Sequence, residues 1–431
     1  MQKRFFPIFL LLNLAVCLSA VAVDRINVTD YGAVPDEAQP GTDCDSFPAT
    51  SGCDDTTAIY NAVNAAGNGA KSIYFPPGTY RYTSSIILPA NTSYRLYGDG
   101  PGVSTIVFTG APYTGIYGPT MGSNTLMVDG LTLKANSKDC GTGIYAVFSE
   151  TPPSTKFHTA TIQNVQIIGS TRTGATGSYW SGGIYLKMAQ NTIIDKVEIN
   201  GNNRDDDTGG GRATRFGIIW ESSNEYQTTG LQMSNLEMTY CDTALQTNGW
   251  VSELFLTGFE FVLCGTNSLP AIDLYSPDDA NVKSTFHVVN GHVNALQNGI
   301  RATNLRGVKI SKVFFIHSSG NIYASGGDVV AFNNCTDVVF SQCSFEGVGS
   351  DISAENGINL SNAHSVRIDG NYFRHMLPRD SGSCIAIQYN SQSNSSEIRI
   401  TDNLFQSSGT GDGVRQRYDD AAPDTYYWGN N

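Results

Sequence analysis

Ten hexapeptides spread along the chain share one hydrophobic pattern: an apolar residue, two further residues, a residue that turns inward, one more, and an apolar residue again. They read VDGLTL at 128, IQNVQI at 162, IDKVEI at 194, MSNLEM at 233 and LTGFEF at 256. The series continues with VVNGHV at 288, ISKVFF at 310, FSQCSF at 340, IDGNYF at 368 and ITDNLF at 400. Successive copies lie 22 to 39 residues apart, too unevenly for a helical repeat of fixed period. Between them a second alternating run recurs, as in GIYAVF at 143, GIYLKM at 183, GIIWES at 217, ALQTNG at 244, AIDLYS at 271 and GIRATN at 299. Alternation of period two, corners of Gly and Asn, and no helices between the runs predict parallel coils stacked into an all-β solenoid. An antiparallel sandwich or barrel would need two-residue Asn-Gly or Asp-Gly turns at regular spacing, which do not dominate here.

One segment follows a different period. TTAIYNAVNAAG places Ile59, Ala62, Val63 and Ala66 at i, i+3, i+4 and i+7, a helical stripe. Asp55 or Thr56 serves as its N-cap and Gly67 as its stop. Such a helix covers the apolar end of a solenoid, which left bare attracts strands from other chains.

Residues 28–107, from VTDYGAVPD through CDDTTAIYNAVNAAG to KSIYFPPGTYRYTSSIILPANTSYRLYGDGPGVSTIV, resemble the opening of the pectate-lyase-like superfamily of right-handed parallel β-helices. Its members include polygalacturonase-like hydrolases, polysaccharide lyases, β-1,3-glucanases and phage tailspike depolymerases. The resemblance implies a right-handed parallel β-helix of about ten coils with an N-terminal capping helix, and it is weak for reaction because fold does not imply function. The family's polygalacturonase set of N-T-D, paired Asp and G-H-G is missing at matching places; NGHV at 290 and SGSCIAI at 381 echo it only faintly. The insert EAQPGTDCDSFPATSGC departs from the opening motif and reads as a loop clipped by Cys44–Cys53.

The first residues form a separate object. Lys3 and Arg4 precede an apolar run that ends in the A-x-A site Ala20–Ala22, the pattern of a signal peptide over 1–22. The mature chain, 23–431, is then one β-helix domain with its cap and first coils over 23–110, secreted or periplasmic. Removing Lys3 and Arg4 takes the formal charge from −13 to −15. An acidic chain without Lys/Arg clusters argues against nucleic acid and disfavours polyanions unless a metal or a local basic strip offsets the repulsion. Nine cysteines less Cys17 leave eight, an even number that points to disulfides in an exported protein.

Candidate chemistry follows from stacking the second runs. Alternate residues of a strand point outward. One outward column holds Tyr145, Tyr185, Ile219, Gln246, Asp273, Arg301, Ala331, Asn359 and Ala386. The other holds Val147, Lys187, Glu221, Asn248, Tyr275, Thr303, Asn333, Ser361 and Gln388. From Tyr185 to Arg301 the columns mix acids, bases, amides and tyrosines, with Trp180 and Trp250 close by in sequence. Such a strip is either a solvated face or a carbohydrate groove, in which rings stack on aromatics while carboxylates and amides take hydroxyls. The groove is the reading favoured here, with a polysaccharide as partner and no cofactor required.

Within it, Glu221 and Asp273 lie two coils apart, a spacing that suits an inverting hydrolase better than a retaining one. Elimination beside a uronate carboxylate, with Lys187, Tyr275 or Arg301 as base, is the alternative, and Lys187 next to Glu221 reads as an ion pair rather than a base. Epimerisation within a polymer shares that proton abstraction, and a non-catalytic glycan-binding adhesin would use the same groove. Asp205, Asp206 and Asp207, in the loop that runs into Glu221's strand, form a Ca²⁺ candidate without EF-hand spacing or a hinge over the groove. Cys241 and Cys264 fall three residues after the last apolar position of adjacent repeats, which predicts a disulfide between stacked coils. Cys343 occupies an inward slot and reads as a packed thiol. Five N-x-S/T sequons (Asn27, Asn91, Asn334, Asn359 and Asn394) would carry sugar only in a eukaryotic secretory pathway. Lateral packing of β-helices permits a homotrimer.

Overall fold

The computed structural model describes residues 25–36, 54–67, 72–110, 113–149, 158–169, 177–202, 213–223, 225–266, 268–277, 284–295, 298–318, 328–348, 356–374, 385–390, 396–406 and 427–428. The segment 1–22 expected to be a signal peptide, the expected Cys44–Cys53 pair and Asp205–Asp207 lie outside these residues. Among the described residues every strand pairing is parallel, and the strands fall into a nineteen-stranded and an eleven-stranded sheet. The result is a right-handed parallel β-helix. Among the described residues no helix is long and apolar enough to cross a membrane.

The hydrophobic repeat maps directly onto the register of the larger sheet. Val128, Ile162, Ile194, Met233, Leu256, Val288, Ile310, Phe340, Ile368 and Ile400 are Cα partners in succession. Ile26, Ile73 and Leu96 extend the same column through the N-terminal segment, so the stack holds more levels than the ten that the repeat marks.

The third residue of each hexapeptide makes the corner. All ten (Gly130, Asn164, Lys196, Asn235, Gly258, Asn290, Lys312, Gln342, Gly370 and Asp402) have φ between +51° and +65°. This left-handed conformation bends the strand and swings the next residue inward. Leu131, Val165 and Phe259 are buried by it, and so is Cys343, whose thiol burial pushes up to about 12. At the last two corners the inward residue is Asn371 or Asn403. Asn371 Nδ2 donates to Phe340 O at 3.2 Å and Asn403 Nδ2 to Ile368 O at 3.1 Å, while Asn403 Oδ1 accepts from Asn371 N at 2.9 Å. Buried amides are tolerated there because each is bonded to the neighbouring coil.

The smaller sheet packs its inner face against this column. Ile144, Ile184, Ile218, Leu245, Ile272, Ile300, Val330 and Ile358 stack in register, and none is more than 1% exposed. Each such side chain contributes about 1.5–3 kcal/mol of burial free energy. Close approach of backbone at the strand entrances requires glycine: a Cβ on Gly183 would stand 2.4 Å from Gly217 O. The helix forms over Thr56–Ala66 with Asp55 and Gly67 at its ends, and Ile59, Ala62, Val63 and Ala66 face the coils. The Asp55 carboxylate caps nothing on that helix; its oxygens accept from Val34 N at 2.8 Å and Arg81 N at 3.0 Å.

Two expectations need correction here. Cys241 and Cys264 are thiols, and no disulfide joins them. Each follows a left-handed residue, Tyr240 or Leu263, and the corner turns each sulfur onto backbone. Cys241 Sγ donates to Thr239 O at 3.5 Å, and Cys264 Sγ to Val262 O at 3.6 Å. In the last coil of the smaller sheet, Asn359 pairs with Gln388 and Ser361 with Asn390, a slip of two residues from the expected Ala386 and Gln388.

Candidate functional site

The two outward columns of the smaller sheet exist as stacked rows. Tyr145, Tyr185, Ile219, Gln246, Asp273 and Arg301 are Cα partners in sequence along one row. Lys187, Glu221 and Asn248 run beside them, and Tyr275 continues that row above Thr303. Strand alternation beneath this face is strict, since Ile184, Leu186, Ile218, Trp220, Leu245 and Leu274 all point inward and are fully buried. That packing holds the outward side chains on a rigid floor.

Two ionic clusters stand on the floor. In the first, Lys187 Nζ lies 3.5 Å from Glu221 Oε1, with both side chains about one-quarter exposed. The Tyr185 hydroxyl donates to the same carboxylate, and burial, then the Glu221 charge, drives the phenol well above the ordinary tyrosine range. In the second, Arg301 grips Asp273 through a fork: Nε to Oδ1 at 2.9 Å and Nη2 to Oδ2 at 2.6 Å. Asp273 is 7% exposed, and its hydrogen bonds hold the Arg301 guanidinium even higher than usual. Gln246 lies between the clusters in the first row and Asn248 in the second, where Asn248 is exposed. Tyr275 is anchored through its backbone, its N–H donating to Thr247 Oγ1 at 2.8 Å.

The strip is longer than the sequence columns indicate. Tyr117 pairs with Tyr145 one coil below, and Ile87 pairs with Tyr117 one coil further. Tyr145 and Tyr185 stack at 4.8 Å with rings 8° apart, and Tyr117 meets Tyr145 at 5.3 Å. A tyrosine row therefore leads into the Lys187–Glu221 cluster. The signal for Tyr117 is present in the chain, because Gly-Ile-Tyr occurs at 115–117, 143–145 and 183–185.

The tryptophans are not in this row. Trp180, expected to touch substrate, is 1% exposed inside the core, edge-on to Phe108 at 5.3 Å, and its Nε1 donates to Leu133 O at 3.2 Å. Its position at the start of the strand precedes the outward alternation, which begins at Tyr185. Trp250 sits at the turn beyond Asn248, its carbonyl accepting from Thr228 N at 2.8 Å, at the margin of the strip. Among the described residues, no group of three or more His, Cys, Asp or Glu side chains is placed to hold a metal ion.

A profile of the family described as rhamnogalacturonase A/epimerase, pectate lyase-like, matches residues 25–266. Comparison with curated proteins gives no match. Among solved structures, tailspike protein 2 (TSP2, ORF211) from Escherichia coli O157:H7 bacteriophage CAB120 superposes with a TM-score of 0.53 at 15% identity, covering 88% of this chain and 46% of that one. Pre-mature bacteriophage phi29 gene product 12 gives 0.53 at 13% identity, covering 89% and 50%. DFA-IIIase from Arthrobacter chlorophenolicus A6, in complex with GF2, gives 0.52 at 12% identity, covering 90% and 99%. The chain thus spans about half the length of the two phage proteins, and at these identities the likeness is one of fold. The family match covers more than half of the sequence, and the chain belongs to the rhamnogalacturonase A/epimerase, pectate lyase-like family.

Proposed function

We propose that the protein is a polysaccharide-modifying enzyme that lays an acidic chain along the Tyr117–Arg301 strip and breaks it by proton abstraction and β-elimination. The observation that carries this reading is the Lys187–Glu221–Tyr185 cluster. Its proton inventory is one acceptor, the Glu221 carboxylate, and two donors, the Tyr185 hydroxyl and the Lys187 ammonium. An acceptor and donors on adjacent coils can take a proton from the carbon beside a uronate carboxylate and supply one to the departing glycosidic oxygen. Lys187 would also offset the negative charge that develops on that carboxylate. Arg301, aligned by Asp273 and still about 38% exposed, would anchor a carboxylate several sugars away. Tyr117, Tyr145 and Tyr185 offer ring faces for sugars, with aromatic contacts of this kind worth about 0.5–1.5 kcal/mol.

Hydrolysis by the Glu221/Asp273 pair is the second reading, favoured by their spacing of two coils in adjacent rows. It needs both carboxyls free to turn toward substrate and water, whereas Asp273 is 7% exposed and held by the Arg301 fork. The test is a panel of uronate-containing and neutral polysaccharides, followed for reducing ends and unsaturated-uronate absorbance together. Both signals rising on uronate polymers supports elimination. Reducing ends alone would move the assignment to hydrolysis, and neither signal on any polymer would overturn cleavage, leaving in-chain epimerisation or binding.

A further inference from the structure

The larger sheet carries a second polar groove on its own outer face, on a different sheet from the strip. His287, Lys309, Val339, Arg367 and Arg399 are successive Cα partners, so four of five coils present a basic residue in one row. The adjacent row is small and hydroxylic, with Ser311 above Val289 and then Ser341, and the left-handed corners add Lys312 and Gln342. Lys309, Ser311, Lys312, Ser341, Gln342 and Arg367 line an open hollow of about 460 Å³. Lys309, Lys312 and Arg367 are exposed on its walls.

Charge bookkeeping makes this place unusual. The chain carries a formal charge of −13, yet the hollow brings three cations together with one carboxylate, Asp369. That carboxylate is already engaged, accepting from Arg367 Nη2 at 2.7 Å and from Thr401 Oγ1 at 2.7 Å. Among the described residues neither Lys309 nor Lys312 has an acidic partner within 4.0 Å, so their charges face solvent unneutralised. One coil before His287 the same row presents Phe255, 40% exposed and edge-on to His287 at 5.1 Å. An aromatic face followed by the cations Lys309 and Arg367 two coils apart, over a floor of small hydroxyls, fits an extended anionic sugar chain. A compact phosphate would instead want several convergent N–H donors.

We infer that the Phe255–Lys309–Lys312–Arg367 groove is a second, non-catalytic binding site for an acidic oligosaccharide segment, holding polymer while the other face acts on it. This inference rests on the reading that the strip handles an acidic polysaccharide.

The test is calorimetric titration of the full chain carrying Glu221→Gln, with a hexamer of galacturonate at low salt. Two binding events per chain are expected. Adding Lys309→Gln and Lys312→Gln should remove one of them, or weaken it about tenfold, while Lys309→Arg with Lys312→Arg keeps it. Raising the salt should weaken the same event, since exposed charges are screened within about 10 Å at 0.1 M. A single lysine-dependent event keeps the groove and counts against the strip, whereas events indifferent to the lysines, one or two, overturn the groove. So does equal binding of a carboxyl-reduced, neutral hexamer. A sulfated hexamer that takes the groove in preference to the uronate one overturns the uronate assignment. Failure of the strip reading looks different: turnover that survives Glu221→Gln would sink it while leaving the lysine-dependent event in place.

Discussion

Arg301 and Asp273 sit on adjacent coils and face each other as fork and carboxylate, at 2.9 and 2.6 Å. The guanidinium is thereby fixed in direction. Arg301→Lys keeps the charge and loses the fork. KM for a uronate polymer is expected to rise about tenfold, the equivalent of one well-placed charged contact, with kcat much less affected. Asp273→Asn should lower stability by about 1 kcal/mol, discounted because Arg301 remains partly solvated. Steady-state kinetics and denaturant melts separate the two effects.

Glu221 is the acceptor on which the proposed chemistry turns. Glu221→Gln should cut kcat by about 10²–10⁴-fold without changing the fold, the usual range for removing a general base. Tyr185→Phe removes the neighbouring donor and should lower kcat while keeping the ring stack on Tyr145. If both variants turn over at the parent rate, the cluster is structural.

Burial raises the Asp55 carboxyl from 3.8 to about 6, against the lowering effect of the Val34 and Arg81 backbone bonds. A pKa raised on folding means the native state takes up a proton between these values. Its contribution to stability is therefore fully present below about pH 4 and is lost as pH rises through about 6, on the order of 3 kcal/mol in all. Denaturant melts at acid and neutral pH should show this slope. Asp55→Asn should flatten it, at the cost of one of the two backbone bonds.

Cys241 and Cys264 should both be alkylated in denaturant without prior reduction, as peptide mass mapping would show. Finding the 241–264 peptides linked would overturn the thiol assignment. In the native protein Cys335 and Cys343 should resist thiol reagents, because burial pushes both to about 12 and no thiolate is available at neutral pH.

Lys196 and Lys312 hold left-handed corners that Gly130 and Gly258 hold without strain. Lys196→Gly should relieve on the order of 1 kcal/mol of strain, partly offset by the greater freedom of glycine in the unfolded chain. A small rise in Tm is expected, and a fall of several degrees would show that the lysine stem packs usefully.

The fold was legible because a solenoid writes its register into the sequence: the same apolar positions recur wherever a coil lies above another. The helix was legible for the same reason, through Ile59, Ala62 and Val63. The rows of the strip followed from period two alone, and the pairings of Tyr185 with Ile219 and Lys187 with Glu221 agree with it. What alternation does not encode is where it begins. Trp180 precedes the outward phase and so fell inside, although its sequence neighbours face out. Sequence spacing placed Cys241 and Cys264 at the same corner but said nothing of which way each sulfur turns there. The clamp of Asp273 by Arg301 was also invisible, since it depends on rotamers rather than on spacing. The Lys309–Arg367 groove escaped because Arg367 comes from a coil about sixty residues beyond Lys309 and Lys312, and two nearby lysines alone do not mark a groove.

The glycine column at the strand entrances carries a consequence for how damage spreads. A Cβ on Gly183 would strike Gly217 O and one on Gly217 would strike Ala244 O, so each constraint reaches the next level and no further. A molecule assembled this way behaves as a row of dominoes rather than an arch. A defect at one tier loosens the tiers on either side and is forgotten beyond them, so the two charged faces can be altered coil by coil without the far end registering the change.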